Sequence, residues 1–324
     1  MLDPSVMRNV PSAVCARPVI GIALGGGFAR GIAHIGVLRV LERDGIPIDR
    51  IAGVSAGAIV AGAFASGTTL EELAEVGLRM RLSDIAGFNL SRFAFATTSR
   101  MTKFLRRILK CDRFEEMRMP VCAVATDLAS GDPVIFGGCG DVITPILSSC
   151  AYPGVFRPVE YEGRNLIDGA FSMEMPVAPL RLMGATRVIA VQLAGKLSAR
   201  ASNVFEFVNR CFRILRARTE TIWRRESDVV IEPDAACGDW RSFDRSQDLI
   251  AVGNVRQWRP CRRFENGSLY QCALISSRGT TRQVPGTTPP KRCDESLWIV
   301  TELVSTTREE EKRWVAQVAT ALSD

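Results

Sequence analysis

Gly53-Val54-Ser55-Ala56-Gly57, reached through the apolar run Ile51-Ala52 and followed by Ala58-Ile59-Val60-Ala61, decides the fold. The pattern reads as strand, sharp turn and helix, with the serine hydroxyl presented at the head of the helix. Gly53 and Gly57 let the chain turn that tightly. Ile46 to Ala52 leads into this elbow, and Ala56 to Ala65 is a helix of small residues. A serine so placed needs a base, and most hydrolases with this turn use a histidine that follows it in the chain. Here the one histidine, His34, precedes Ser55 within the apolar helical pattern Gly31-Ile32-Ala33-His34-Ile35-Gly36-Val37-Leu38. Either Ser55 is no nucleophile, or a carboxylate is its base.

The candidate carboxylate is Asp168 in Leu166-Ile167-Asp168-Gly169-Ala170. It follows a hairpin pattern, Val159 to Tyr161 turning at Glu162-Gly163 into Asn165 to Ile167. An aspartate at a strand end can face a serine across a cleft and take its proton directly. Its ordinary pKa of about 3.9 makes it a weak base unless burial raises it. Asp-Gly is also a common turn dipeptide, so this pair alone leaves both readings open.

The third element is Leu24-Gly25-Gly26-Gly27-Phe28-Ala29-Arg30-Gly31, between a strand pattern (Val19 to Leu24) and a helix pattern running to Arg43. Glycine-rich loops at helix starts turn backbone N–H groups toward an anion. A P-loop would end in Gly-Lys-Ser/Thr, whereas Gly31-Ile32-Ala33 follows here. A dinucleotide fingerprint read from Gly25 meets Arg30 where its last glycine belongs. An oxyanion hole remains, whose donors are worth roughly 3–4 kcal/mol each.

These three motifs, in this order, resemble the patatin-like phospholipase family. Ala125-Thr126-Asp127-Leu128-Ala129-Ser130-Gly131 and Ser148-Ser149-Cys150-Ala151-Tyr152-Pro153-Gly154-Val155-Phe156 resemble stretches of its bacterial members. The resemblance covers residues 18–252. It implies an α/β/α three-layer sandwich with a mostly parallel sheet, and a lipid acyl hydrolase with a Ser–Asp dyad. Ser55 would be the nucleophile, Asp168 of the Asp168-Gly169-Ala170 motif the base, and amides near Gly26, Gly27 and Phe28 the oxyanion hole. Arg30-Gly31 would anchor the loop. The family pattern anchored there has glycine where this chain has Phe28, so either a positive φ falls on phenylalanine or the loop is one residue longer. The implied substrate is a phospholipid or other fatty-acyl ester, with no cofactor and no metal. An acyltransferase on the same fold and an idle lipid-binding regulator are the alternatives.

The rest of the chain bounds these readings. Its 324 residues carry a net charge of +6 and ten cysteines, none in a Cys-x-x-Cys pair, so no zinc site reads out. Residues 1 to 17 lack the apolar core of a secretory signal, which points to reduced thiols and a cytoplasmic location. Ile51 to Leu70 carries no charge, but its many glycines, serines and threonines fit an elbow and a buried helix better than a membrane span. Residues 79–118 hold ten Lys or Arg against four Asp or Glu, with Phe88, Phe93, Phe95, Phe104 and Phe114. Two readings apply there: a cap meeting an anionic membrane surface peripherally, or an insertion with a buried apolar face. The basic helix pattern 204–225 has a stripe of Val204, Val208, Cys211, Leu215 and Ile222, expected to face the core. No motif accompanies either basic stretch, which argues against nucleic acid. Residues 253–324 form a C-terminal extension of undefined kind. Strand patterns there are Ser268 to Ile275 and Leu297 to Val304, Pro285 to Pro290 reads as a loop, and Thr307-Arg308-Glu309-Glu310 opens a helix pattern.

Overall fold

A computed structural model describes residues 17–88, 94–193, 204–235, 243–253 and 258–260. Short apolar runs form strands, and amphipathic runs between them form helices. In chain order the elements are β1 (Ile20–Leu24), α1 (Ala33–Arg43), β2 (Arg50–Val54), α2 (Ala56–Ser66), α3 (Leu70–Arg79) and α4 (Leu82–Ile85). Next come β3 (Gly87–Phe88), β4 (Ala94–Thr97), α5 (Ser99–Ile108), β5 (Val121–Asp127), β6 (Pro133–Gly137), α6 (Ile143–Ser149) and β7 (Gly154–Phe156). The last are β8 (Val159–Tyr161), β9 (Arg164–Asp168), α7 (Val177–Leu182), β10 (Arg187–Val191), α8 (Val204–Glu226), β11 (Val229–Ile231), α9 (Ser246–Gly253) and β12 (Trp258–Pro260). Local chemistry sets several boundaries. Gly67 ends α2 in the left-handed region, and Thr69 with Glu72 closes a reciprocal capping box on α3.

The main sheet runs β12-β11-β10-β1-β2-β5-β9-β8, with β6 also on β5. Its five central strands, β11 to β5, are parallel, and the outer ones are antiparallel. Parallel strands buried on both faces should be apolar throughout, and all seven residues of β5 are buried. Alternate side chains serve different layers. Ile22, Leu24, Ile51, Ile189 and Val191 face the main cluster with α1, α2, α3 and α5. Ala23, Ala52, Cys122 and Ala190 face Val177 and Leu180 of α7 and Trp223 of α8. The architecture is the α/β/α sandwich with a mostly parallel centre.

One detail of register matters more than the rest. Ala125 of β5 pairs with Val134 of β6 on one edge and with Asp168 of β9 on the other. Val124 pairs with Ile135 of β6 and with Val54 of β2. β2 and β9 therefore share the same edge of β5 and meet end to end, with Val54 and Asp168 in consecutive registers.

The structure settles several sequence expectations. Ile51 to Leu70 is strand, elbow and an 11-residue helix, and among the described residues no helix is long and apolar enough to cross a membrane. In the 79–118 segment, Phe104 and Phe114 are buried in the main core, with Met101, Leu105 and Ile108 beside them. These two phenylalanines are therefore not interface-inserting groups; α5 keeps Arg100, Lys103, Arg106 and Arg107 outward. The side chains of Phe88, Phe93 and Phe95 lie outside the described residues.

The stripe expected to face the core on α8 is corrected. Cys211 is exposed, and Leu215 and Ile222 are 61% and 58% exposed. The buried side of α8 instead carries Trp223, with Phe212 and Arg216 partly covered. Val204 and Val208 have side chains outside the described set. Beyond α9, which sequence patterning misses, β12 adds an antiparallel edge strand to β11. The patterns at 268–275, 285–290, 297–304 and 307–310 lie outside the described residues, as do residues 1–16.

Candidate active site

Two register relations bring the three motifs together. Leu24 pairs with Gly53 across β1 and β2, so the loop leaving β1 rises beside the turn leaving β2. A Cβ added at Gly26 would sit 3.3 Å from Ser55 Cβ, a spacing that needs glycine or a shift of neighbours. The meeting of β2 and β9 along β5 brings the Asp168 end against the same turn. Open α/β sheets bind ligands at the C-terminal ends of parallel strands, where this site lies.

Ser55 occupies the elbow with φ 55° and ψ −124°, a strained conformation for a residue with a Cβ. Gly53 and Gly57 make the turn possible through close approach. A side chain on Gly53 would strike the first turn of α2, and one on Gly57 would strike Leu24 O. Ser55 N–H donates to Ser149 Oγ at 2.8 Å, and Ser55 O accepts from Ala58 N–H at 2.8 Å.

Asp168 is 1% exposed. Its Oδ1 accepts from Ala170 N–H at 2.9 Å, which caps the 3-10 turn Gly169–Phe171. Its carbonyl accepts from Thr126 Oγ1 at 3.0 Å, and its N–H donates to Ala151 O at 3.1 Å. Oδ2 closes no hydrogen bond. The Ser55 hydroxyl nonetheless lies near enough to favour the ionised form. Ser55 and Asp168 thus stand close without closing a hydrogen bond. Burial is the larger influence and pushes the Asp168 carboxyl up to about 6; Ser55, Ala170 N–H and Arg216 pull the other way.

The glycine-rich loop is pinned behind its middle. Gly25 N–H donates to Val191 O at 3.1 Å, and His34 Nε2 donates to Gly25 O at 2.8 Å. Because a carbonyl only accepts, His34 is held as the Nε2–H tautomer. Burial pushes its pKa down to about 4. The single histidine is therefore a neutral support for the loop, its one donor committed. Phe28 takes φ 53°, so the positive φ does fall on phenylalanine, whose ring lies 6.3 Å from that of Phe243. Arg30 is largely buried behind the loop, with its backbone N–H on Gly27 O at 3.2 Å. Gly31 packs against Ala56 at the start of α2.

Sequence reasoning missed Ser149, Ala151 and Tyr152 as parts of this site. The last residue of α6, Ser149, holds Ser55, and the turn that follows holds Asp168 through Ala151. The Tyr152 ring lies 5.4 Å from that of Phe171. Cys150, also in this turn, is buried, and burial together with Asp168 raises its thiol well above the ordinary range.

An apolar cavity opens at Ser55 and runs between α1, α2, α3 and α5, with about 720 Å³ of empty space including its mouth. Ile35, Ile59, Val60, Leu73, Met101, Phe104 and Ile108 wall its depth, while Phe28, Cys150 and Tyr152 line it with Ser55. No group of three His, Cys, Asp or Glu side chains among the described residues is arranged to hold a metal.

Fold and site place the chain among α/β sandwich proteins that present a serine on a strand–helix elbow beside a glycine-rich loop. Residues 22–181 match the family model for the patatin-like phospholipases, and the chain carries a domain of that family. An uncharacterised NTE family protein of Mycobacterium tuberculosis is 35% identical over 204 residues, 60% of this chain and 56% of its own length. Lysophospholipase NTE1 of Cryptococcus neoformans is 33% identical over 186 residues, 54% of this chain and 11% of its own. The chain thus spans little more than half of the first of these relatives. VipD from Legionella pneumophila aligns in structure with a TM-score of 0.37 at 12% identity, covering 73% of this chain and 67% of its own.

Proposed function

We propose that this chain hydrolyses fatty-acyl esters of lipids, with Ser55 as nucleophile and Asp168 as base. The observation that carries the reading is the end-to-end meeting of β2 and β9 along one edge of β5. Through it a buried aspartate comes beside a strained-elbow serine that itself lines an apolar cavity. Family membership and a relative named lysophospholipase support a lipid substrate.

In the proposed reaction the acyl chain enters the cavity and its ester carbonyl lies against Ser55. Asp168 takes the hydroxyl proton as Ser55 Oγ bonds to the carbonyl carbon. Amides near Gly26, Gly27 and Phe28 hold the tetrahedral oxyanion. Collapse breaks the bond to the alcohol, which leaves with the proton from Asp168. Water then attacks the acyl-serine, again losing its proton to Asp168; as the acyl–Oγ bond breaks, Asp168 returns that proton to Ser55 Oγ and the fatty acid departs. Burial, by raising Asp168 toward 6, makes it a better base while leaving it mostly ionised at neutral pH. Ser55 N–H is occupied by Ser149, so the loop supplies the oxyanion donors. The chemistry uses no metal or cofactor. Contact with a membrane surface would be peripheral, with Arg100, Lys103, Arg106 and Arg107 of α5 as outward cations.

The test is hydrolysis of a medium-chain p-nitrophenyl ester in EDTA by wild type, Ser55→Ala and Asp168→Asn. Turnover by wild type with losses of at least about 10³-fold in both variants is expected. Persistent turnover in Ser55→Ala would remove the elbow from the chemistry.

A further inference from the structure

The apolar cavity is open at half-buried Ser55 and closed against α5, where Met101, Phe104 and Ile108 are buried. Its other walls include Ile32 and Ile35 on the side of α1, with Gly77 on α3. Ile32 follows Gly31, which packs on Ala56 beside the nucleophile, so the α1 wall begins next to Ser55. Gly77 stands opposite that wall. A Cβ built on it would lie 3.4 Å from Ile32 Cγ2 and 3.6 Å from Ile35 Cδ1, in ordinary contact with two lining residues. A side chain there would project into the space between α1 and α3. The other glycines of these helices differ. A Cβ would strike Ile250 O at Gly36, Leu24 O at Gly57 and Ile146 Cδ1 at Gly62, so close packing demands glycine at all three. At Gly77 a methyl group fits, and φ is not positive. Neither packing nor backbone calls for glycine there, and glycine weakens a helix relative to alanine. What it supplies is width in the cavity.

We infer that Gly77 determines acyl-chain length at this site, keeping the passage from Ser55 to the α5 wall wide enough for a long chain. The inference rests on the hydrolase reading above, in which the acyl group enters this cavity. A short acyl group held at Ser55 stays near the mouth. A long one runs between Gly77 and the α1 wall, and each methylene it buries there adds to binding. Volume added at Gly77 displaces that chain, because packed walls yield little. The site thus takes long-chain acyl esters in preference to short-chain ones, and the preference depends on a missing side chain.

The experiment measures kcat/KM for p-nitrophenyl laurate and p-nitrophenyl butyrate, which share the scissile ester and differ in chain length. The readout is the laurate-to-butyrate ratio, in which general losses of folded enzyme cancel. Gly77→Leu should lower that ratio at least about tenfold, the size of a lost methylene site in an apolar pocket. Gly77→Ala should raise Tm through better helix propensity. It should still lower the ratio, by about threefold, since it adds a single carbon. A glycine with a purely structural role would move Tm and leave the ratio alone. An unmoved ratio in Gly77→Leu, or in Gly77→Ala where the leucine variant does not fold, overturns the inference and leaves the hydrolase reading intact. If wild type cleaves neither ester, the hydrolase reading itself fails. Gly77 then keeps its role only if laurate, below its micelle concentration, raises the Tm of wild type more than that of Gly77→Ala while butyrate raises neither. An equal shift in both proteins overturns it.

Discussion

At Asp168, full burial and a charge-dependent role oppose one another, and the pH dependence of turnover should record the compromise. The proposed base works only when ionised, and burial lifts its carboxyl to about 6. kcat/KM should therefore rise with pH through an acid limb near 6 and then level off. His34, pushed down to about 4 and tied to Gly25 O, supplies no limb near 7. A plateau extending down to pH 4.5 would rule out Asp168 as the titrating base. Phe28 shows a second compromise. Its φ of 53° costs about 1–2 kcal/mol in a residue with a Cβ, yet its ring lines the cavity and lies near Phe243. Phe28→Gly should relieve the backbone but open the cavity wall. We expect stability within about 1 kcal/mol of wild type, because strain relief and lost burial offset, and a raised KM for medium-chain esters. A large stability loss in urea unfolding with KM unchanged would contradict this account. The glycine-rich loop, elbow and Asp-Gly turn were all legible in sequence, because each is a local backbone requirement. Ser149 and Ala151 were not, since a serine hydroxyl and a backbone carbonyl become partners of Ser55 and Asp168 only through contacts distant in sequence.

Among the elements, α8 shows where periodicity misleads. Cys211, Leu215 and Ile222 repeat at helical spacing, as a core stripe should, yet they face outward. The opposite side packs Trp223 against α7 and the sheet, Phe212 against Phe171, and Arg216 against Glu174, while Arg224 reaches Glu220, Glu232 and Gln192. Two aromatics and arginines with long apolar stems cover more surface than the aliphatic stripe, and their partners are distant in sequence. A hydrophobic count along one helix cannot see those partners. Leu215→Glu should therefore change stability by no more than about 0.5 kcal/mol, as exposed sites do. Trp223→Ala should cost about 3–5 kcal/mol by opening the layer under α7. The opposite ranking in denaturant titrations would restore the sequence reading. Strand β1, by contrast, falls within one residue of its expected run, Val19 to Leu24, because a strand buried on both faces has no alternative face to choose.

For the whole molecule, the site imposes a stability cost that can be measured. Asp168 has a folded pKa of about 6 against an ordinary 3.8, so the folded state binds its proton more tightly than the unfolded state does. Stability from this group therefore falls as pH rises between those values, and the penalty is complete above about 6. The rise corresponds to about 3 kcal/mol at most, since an unfolded chain retains some structure of its own. Asn in this place keeps an acceptor for Ala170 N–H and carries no charge. Asp168→Asn should then be more stable than wild type by up to about 3 kcal/mol at pH 8, and the gap should shrink toward zero as pH falls from 6 to 4. Both proteins share every other titrating group, so the difference isolates this carboxylate. Urea unfolding of the two proteins at pH 8 and pH 4.5 measures it. A gap that is the same at both pH values would mean that the Asp168 carboxylate is not held at a cost. The raised pKa would then lose its physical basis, and with it the reason for an acid limb near 6 in turnover. A gap that closes on acidification would mean that the sheet spends global stability to keep a weak acid poised as a base. Such a cost persists only where the buried carboxylate is needed, and here it lies where β2 and β9 meet on β5.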